Sequence, residues 1–146
     1  MQNRTKFWHG WLMVMSAAVM VFGSLMMLAP ELTRNLFSVL LYSASGRIDG
    51  LDPEAVRYIT LAHGVLGAVM FAWGLAIFLI LSGVFRRERR KAWNIIALSL
   101  AAWYLPDTLF SLWTGFWQNA LLNTVLAALF ALPLAVLHRR TERELP

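Results

Sequence analysis

Four long stretches of the chain are apolar and contain no Asp, Glu, Lys or Arg: residues 7–30, 58–85, 92–106 and 108–138. The hydrocarbon core of a bilayer is about 30 Å thick, and an α-helix needs about 20 apolar residues to cross it. The pattern therefore predicts four transmembrane helices, at about residues 7–28, 55–85, 92–112 and 118–137. A short turn near residues 113–117 divides the last two. We expect an all-α integral membrane protein, a four-helix bundle forming a single domain over residues 1–146.

The composition agrees with this prediction. The chain is 59% hydrophobic and 14% charged, whereas soluble domains are about 45–50% apolar and about 25% charged. The apolar runs also lack the alternation of apolar and polar residues that is typical of outer-membrane barrel strands. These observations argue against a soluble globular domain and against a membrane β-barrel.

Basic residues lie mostly on one side of the predicted bundle. The chain has 13 Lys and Arg against 8 Asp and Glu, and ten of those basic residues flank the spans on the side of both termini. Since basic flanks stay in the cytoplasm, we predict cytoplasmic termini and a location in the cell inner (plasma) membrane. The residues predicted to set orientation and to contact lipid headgroups are Arg86, Arg87, Arg89, Arg90 and Lys91. Nucleic acid is not an expected partner, because the basic residues adjoin the spans.

The first outer loop contains a further helical pattern, over Glu31–Tyr42. Five apolar residues share one face of this segment, with Arg34, Asn35 and Ser38 elsewhere; they are Leu32, Leu36, Phe37, Leu40 and Leu41. Such a pattern favours a short helix at the outer membrane interface. Asp52 and Pro53 then predict the start of the second span, because Asp is a favourable cap and Pro fits the first helical turn.

Asp107 is the only acidic residue inside a predicted span. A charge within the membrane is costly, so its presence indicates a structural or functional reason. Helix period and the predicted topology bring further polar and aromatic side chains to the same layer near the outer surface. These residues are His63, Ser111, Asn119, Asn123 and Trp103, with Ser24 from the first span.

Three interpretations of this layer remain open. It is a hydrogen-bond network that locks the bundle, a pocket for a lipophilic small molecule with Trp103 as a wall, or a site of proton chemistry by Asp107 and His63. The sequence predicts no cofactor, although ligation of haem or a pigment by His63 stays open. No metal site is predicted, because His63, Asp107 and Glu31 alone give no specific ligand spacing. The absence of cysteine excludes thiolate chemistry and disulfides.

Small residues recur every four positions on two spans. Gly64, Ala68, Ala72 and Ala76 form such a stripe on the second span, and Ala127, Ala131 and Ala135 form one on the fourth. Close backbone approach through small residues is a common way for membrane helices to associate. We therefore expect both stripes to pack helices within the chain, with a dimer face as the alternative.

Two motifs resemble a pattern in uncharacterised small bacterial four-helix membrane proteins. The first runs from His63-Gly64 through Gly67-Ala68 to Trp73-Gly74, and the second joins Trp103, Asp107, Ser111 and Gly115, followed by Asn119 and Asn123. The plan is also loosely similar to DoxX-like proteins and to the EXPERA group of sterol-binding and sterol-isomerase proteins. That similarity implies a four-helix fold around a polar site and no particular catalytic residue.

The sequence favours a non-enzymatic small polytopic membrane protein that acts as an accessory or interaction subunit. Its expected partners are membrane lipids and either a larger membrane complex or further copies of itself. The alternative is a binder or enzyme for a lipophilic small molecule, with an outer-leaflet pocket around Asp107 and His63. In that case Asp107, His63, Ser111, Asn119, Asn123 and Trp103 would form the ligand-binding layer.

Overall fold

The computed structural model describes the backbone of residues 2–143 and the side chains of residues 5–85 and 87–138. The side chains of Arg4, Arg86, Arg139, Arg140 and Arg143, which entered the orientation argument, lie outside the described residues. Within the described residues the structure is all helical. Helix α1 spans Gln2–Leu28, α2 Pro30–Tyr42, α3 Pro53–Leu79, α4 Arg89–Trp113 and α5 Trp117–Arg143. After α3 the chain continues as a π-helical segment, Ile80–Val84, and one further α-helical turn, Phe85–Arg87.

Four of these segments are long and apolar enough to cross a membrane: Thr5–Leu28, Pro53–Val84, Arg89–Trp113 and Trp117–His138. They confirm the prediction of a multi-pass, all-α protein with four candidate spans. The side chain of Asp52 accepts a hydrogen bond of 2.9 Å from the Glu54 backbone N–H, so Asp52 caps α3 as expected. Between α4 and α5, Gly115 takes a positive φ of 85°, a conformation that glycine adopts readily at a helix end.

The structure divides into two compact units, and α1 and α3 contribute residues to both. The first unit comprises the residues up to Ala17 and those from Ala76 onward. In it α4 and α5 pack along each other, around buried side chains that include Ile96, Phe130 and Leu134. Trp11 and Trp93 donate from their indole N–H groups to the carbonyls of Leu129 and Leu134, at 3.1 and 2.8 Å. Indole hydrogen bonds to backbone carbonyls thus tie aromatic side chains of this unit to α5.

The second unit, Ala18–Leu75, contains the end of α1, all of α2 and most of α3. A close contact joins α1 to α3 in this unit, because a Cβ placed on Gly67 would lie 2.6 Å from the Gly23 carbonyl oxygen. The stripe predicted on this span is not the packed face: a Cβ on Gly64 would have no neighbour within 4 Å, and Ala68 and Ala72 are exposed. The expectation was wrong because small residues also occur on the face of α3 that Gly67 occupies.

Helix α2 forms where the sequence predicts a helix, but its polar face is the buried one. Thr33, Arg34 and Ser38 are buried, whereas Leu32 and Leu36 are each 54% exposed. A helix of a soluble protein would bury the leucines. On α2 the arrangement is the reverse, with polar side chains buried and these two leucines exposed.

Candidate functional site

Three residues of the predicted polar layer meet between α4 and α5. Asn119 donates from Nδ2 to the Oδ1 atom of Asp107 at 3.2 Å and to the Ser111 hydroxyl at 2.8 Å. The Ser111 hydroxyl lies 2.7 Å from the Asp107 carbonyl oxygen and 3.3 Å from Oδ1, as a donor to both. We call Asp107, Ser111 and Asn119 the acidic cluster. One carboxylate oxygen therefore accepts hydrogen bonds from two neighbouring side chains.

Local structure accounts for this convergence. Asp107 and Ser111 are four residues apart on α4, so they share one face of the helix. The Phe116 N–H donates to the Ser111 carbonyl at 2.8 Å across the turn, and this bond directs the chain into α5. Asn119 lies in the first turn of α5 and thereby faces Ser111. A short turn and the helical repeat are sufficient to assemble the acidic cluster.

The other α4 and α5 residues of the predicted layer lie close by in the sequence but outside these hydrogen bonds. Asn123 is buried one turn after Asn119, and its Nδ2 atom has no hydrogen-bond partner. The buried Oγ1 atom of Thr108 and the buried Oε1 atom of Gln118 also lack partners. Trp103 is half-buried on α4, one turn before Asp107. Unsatisfied polar atoms therefore remain on both helices that carry the acidic cluster.

His63 and Ser24 belong to the other compact unit. The His63 ring meets the Phe37 ring edge-on, with centroids 5.2 Å apart, and its buried Nε2 atom has no hydrogen-bond partner. The Ser24 hydroxyl donates to the Met20 carbonyl of its own helix at 3.0 Å. Within its own unit, His63 thus contacts an aromatic ring and Ser24 bonds to the backbone of its own helix.

A second polar cluster, which the sequence argument did not identify, surrounds Arg34 in the unit Ala18–Leu75. Arg34 is only 7% exposed. Its guanidinium group forms an ion pair with Asp49 through Nη2 and donates from Nη1 to the Thr60 hydroxyl at 2.6 Å. Its Nε atom is buried and has no hydrogen-bond partner. We call Arg34, Asp49 and Thr60 the arginine cluster.

No local sequence pattern points to this cluster, but Ser38 on the same helix helps to form it. Arg34 and Ser38 lie one turn apart on α2, and both are buried. The Ser38 hydroxyl donates to the Ala44 carbonyl at 2.7 Å and accepts from the Arg47 backbone N–H at 3.3 Å. These bonds fold the segment after α2 back toward its own helix, and the same segment carries Asp49.

A cavity of about 610 Å³ lies beside the arginine cluster. Its polar lining comes from Arg34 and Thr60 of the cluster and from the exposed residues Glu31 and Arg57. Apolar side chains complete the wall, among them Met27 and Leu61. All of these residues lie within one compact unit. The cavity thus combines charged groups with an apolar surface.

A second, largely apolar groove of about 440 Å³ runs along α4 and α5 in the first unit. Alanines form much of its lining, including Ala127, Ala131 and Ala135 of the predicted stripe. Tyr104 and Thr124 approach each other in it, with their hydroxyl oxygens 3.2 Å apart. Ala131 and Ala135 are exposed, whereas Ala127 is 9% exposed.

The basic segment around the start of α4 contains one acidic partner. Glu88 forms an ion pair with Lys91, and the guanidinium carbon of Arg89 lies 6.0 Å from the centre of the Phe85 ring. Arg87 and Arg90 are exposed. These side chains are therefore available to water or to lipid headgroups on the side of the bundle where they lie.

In the described part of the chain, no group of three or more His, Asp or Glu side chains is arranged to hold a metal ion. No protein-family model, curated protein or solved structure matches this chain.

Proposed function

We propose that this chain is a non-enzymatic small multi-pass protein of the inner membrane and acts as an accessory or interaction subunit. The observation that carries the proposal is the hydrogen bonding inside the acidic cluster. Oδ1 of Asp107 accepts from both Ser111 and Asn119, so its own neighbours hold the carboxylate of the predicted layer through one of its two oxygens. A general acid or base instead needs a lone pair or a proton directed at a substrate.

The interaction role is supported by the groove on α4 and α5. Small side chains let another helix approach closely, and lipid provides no hydrophobic drive of its own between helices. The exposed alanines Ala131 and Ala135 offer such a surface. A partner span from a larger complex, or from a second copy of the chain, would cover it.

The orientation remains part of this proposal. We propose that both termini are cytoplasmic and that α2 lies at the outer interface. The count of basic residues supports the first statement, and the exposed leucines of α2 support the second. Reporter fusions at each terminus test the orientation, and an external C-terminus would contradict it.

Native mass spectrometry tests the proposed role. The tagged full-length chain would be extracted from its native membrane in the mildest detergent that works. We expect a stoichiometric partner chain on the wild-type protein and on the Asp107→Asn variant, because an amide oxygen still accepts the Asn119 hydrogen bond. A bare monomer in several mild detergents would contradict the accessory role.

A second candidate function is a binder or enzyme for a lipophilic small molecule, with a site around Asp107 and His63. One observation favours it: the buried Nδ2 atom of Asn123, one turn from Asn119, has no partner. The loose similarity of plan to the EXPERA and DoxX-like proteins also favours this candidate, because those proteins enclose a polar site within about four helices. A discrete small-molecule mass that is present on the wild type and lost in Asp107→Asn, with the fold intact, would establish it over the first.

A further inference from the structure

The arginine cluster leaves hydrogen-bonding capacity unused. Arg34 is fixed by Asp49 and Thr60, yet its buried Nε atom has no partner. A buried N–H of a charged group that lacks a partner is costly. Arg34 also lines the adjoining cavity. Its Nη1 and Nη2 atoms each carry a second N–H beyond the bonds to Thr60 and Asp49, and these are the donors that a ligand with an oxygen acceptor would use.

The other charged groups of the cavity narrow the class of ligand. Arg57 is exposed, and no ion pair joins it to a described residue. Arginine presents a planar set of donors that matches the oxygens of a phosphate group. Two arginines on one cavity therefore favour a phosphate or phosphodiester anion.

The balance of charge then distinguishes between phosphodiesters. The charge of Arg34 is already balanced by Asp49. The cavity lining contains one further positive charge, on Arg57, and one further negative charge, on Glu31. The site as a whole carries no net charge. It therefore suits a zwitterion better than an anion, with Glu31 available for the cationic end.

The apolar wall indicates where such a ligand comes from. Leu61 is 66% exposed and Met27 is 38% exposed, and both line the cavity. The outward-facing leucines of α2, on the same compact unit, also need an apolar environment. A ligand with a hydrocarbon chain beside its charged headgroup would cover this surface.

We propose that this cavity binds the headgroup of an aminophospholipid, with its phosphodiester on Arg34 and Arg57, its ammonium group on Glu31 and an acyl chain against Met27 and Leu61. The proposal does not depend on whether the chain is an accessory subunit.

The test is lipid binding by native mass spectrometry. Delipidated full-length protein would be titrated with phosphatidylethanolamine and phosphatidylglycerol of identical acyl chains. We expect phosphatidylethanolamine to bind more tightly by roughly fivefold, the size of one partly exposed ion pair. Glu31→Gln should abolish this preference, and Arg57→Gln should weaken binding of both lipids by a similar factor. Both residues are exposed, so these variants spare the buried Arg34.

Arg47→Gln is the matched control, because Arg47 is exposed in the same unit and does not line the cavity. Equal binding of the two lipids by the wild type would overturn the proposal. An Arg47→Gln variant that loses as much lipid affinity as Arg57→Gln would overturn it too. Soluble glycerophosphoethanolamine should compete poorly, since it lacks the acyl chain. If it displaces the lipid at equal concentration, the membrane source of the ligand is wrong.

Discussion

The acidic cluster and the arginine cluster are both built around a charged side chain near apolar helices, but they are assembled differently. Asp107 meets Ser111 one turn away and Asn119 across a short turn, and these hydrogen bonds close on one another. Arg34 draws its partners from the segment after α2 and from α3. Its buried Nε atom has no hydrogen-bond partner, and the residue lines a cavity. Asp107 is held by hydrogen bonds from nearby residues, whereas Arg34 forms an ion pair and lines a cavity; this contrast supports a structural role for Asp107 and a binding role for Arg34.

The largest effect should follow from removing Arg34. Arg34→Leu leaves the half-exposed Asp49 and the Thr60 hydroxyl without their cation. Removing one partner of a fully buried ion pair costs about 3–5 kcal/mol, so we expect a loss of about 2–3 kcal/mol here. Detergent-induced unfolding followed by circular dichroism measures it.

Arg47→Leu is the control for that substitution, because Arg47 is exposed and its guanidinium carbon lies 5.1 Å from the centre of the Tyr42 ring. It should cost less than about 1 kcal/mol. Combining Arg34→Leu with Asp49→Asn should recover part of the loss. If Arg34→Leu is as stable as the wild type, the arginine cluster does not hold the unit together.

A somewhat smaller effect is expected at Gly67. A Cβ there would lie 2.6 Å from the Gly23 carbonyl oxygen and 2.7 Å from the Met26 Cβ atom, so α1 and α3 must separate. Overpacking of this kind costs about 1–3 kcal/mol, and Gly67→Ala should be destabilised by about 2 kcal/mol in the same unfolding assay. Gly64→Ala adds a Cβ into open space and should be neutral or slightly stabilising. Equal stability of the two variants would contradict the packed face assigned to α3.

Substitution of Asp107 should cost less than either. Hydrogen bonds between membrane helices contribute on average about 0.6 kcal/mol and at most about 1.7 kcal/mol. Asp107→Leu removes the acceptor of two bonds, so we expect a loss of about 1 kcal/mol. Asp107→Asn keeps one acceptor oxygen and should lose less. A double-mutant cycle with Ser111→Ala should reveal coupling, and strict additivity would argue against a shared cluster.

The smallest effect is expected at the Glu88–Lys91 ion pair. Both side chains are exposed to a large extent, and exposed pairs contribute little because water screens them. Glu88→Gln should leave the unfolding transition unchanged. This variant provides the baseline with which substitutions in the two clusters are compared. If it shifts the unfolding transition as much as Asp107→Leu does, the acidic cluster cannot be distinguished from an exposed ion pair.

The part of the structure that follows from local rules was predictable from the sequence. Runs of uncharged residues identify the four candidate spans, and the helical repeat brings Asp107 to Ser111. Asn119 follows because only three residues separate α4 from α5. Each of these inferences depends on residues close together in the chain.

The arginine cluster depends on contacts that no local pattern encodes. Arg34 reaches Asp49 only because the segment after α2 folds back, and it reaches Thr60 only because α2 packs on α3. The same limitation explains Gly67. Small residues occur on two faces of α3, and the position of Gly23 on α1 decides which of them is packed.

Native mass spectrometry of the wild type, Asp107→Asn and Arg57→Gln, purified in parallel, tests the assignment of structural and binding roles most directly. We expect Asp107→Asn to keep every bound lipid and partner of the wild type, and Arg57→Gln to bind phospholipid roughly fivefold more weakly while it keeps the partner. A bound molecule that disappears in Asp107→Asn and persists in Arg57→Gln would contradict the account.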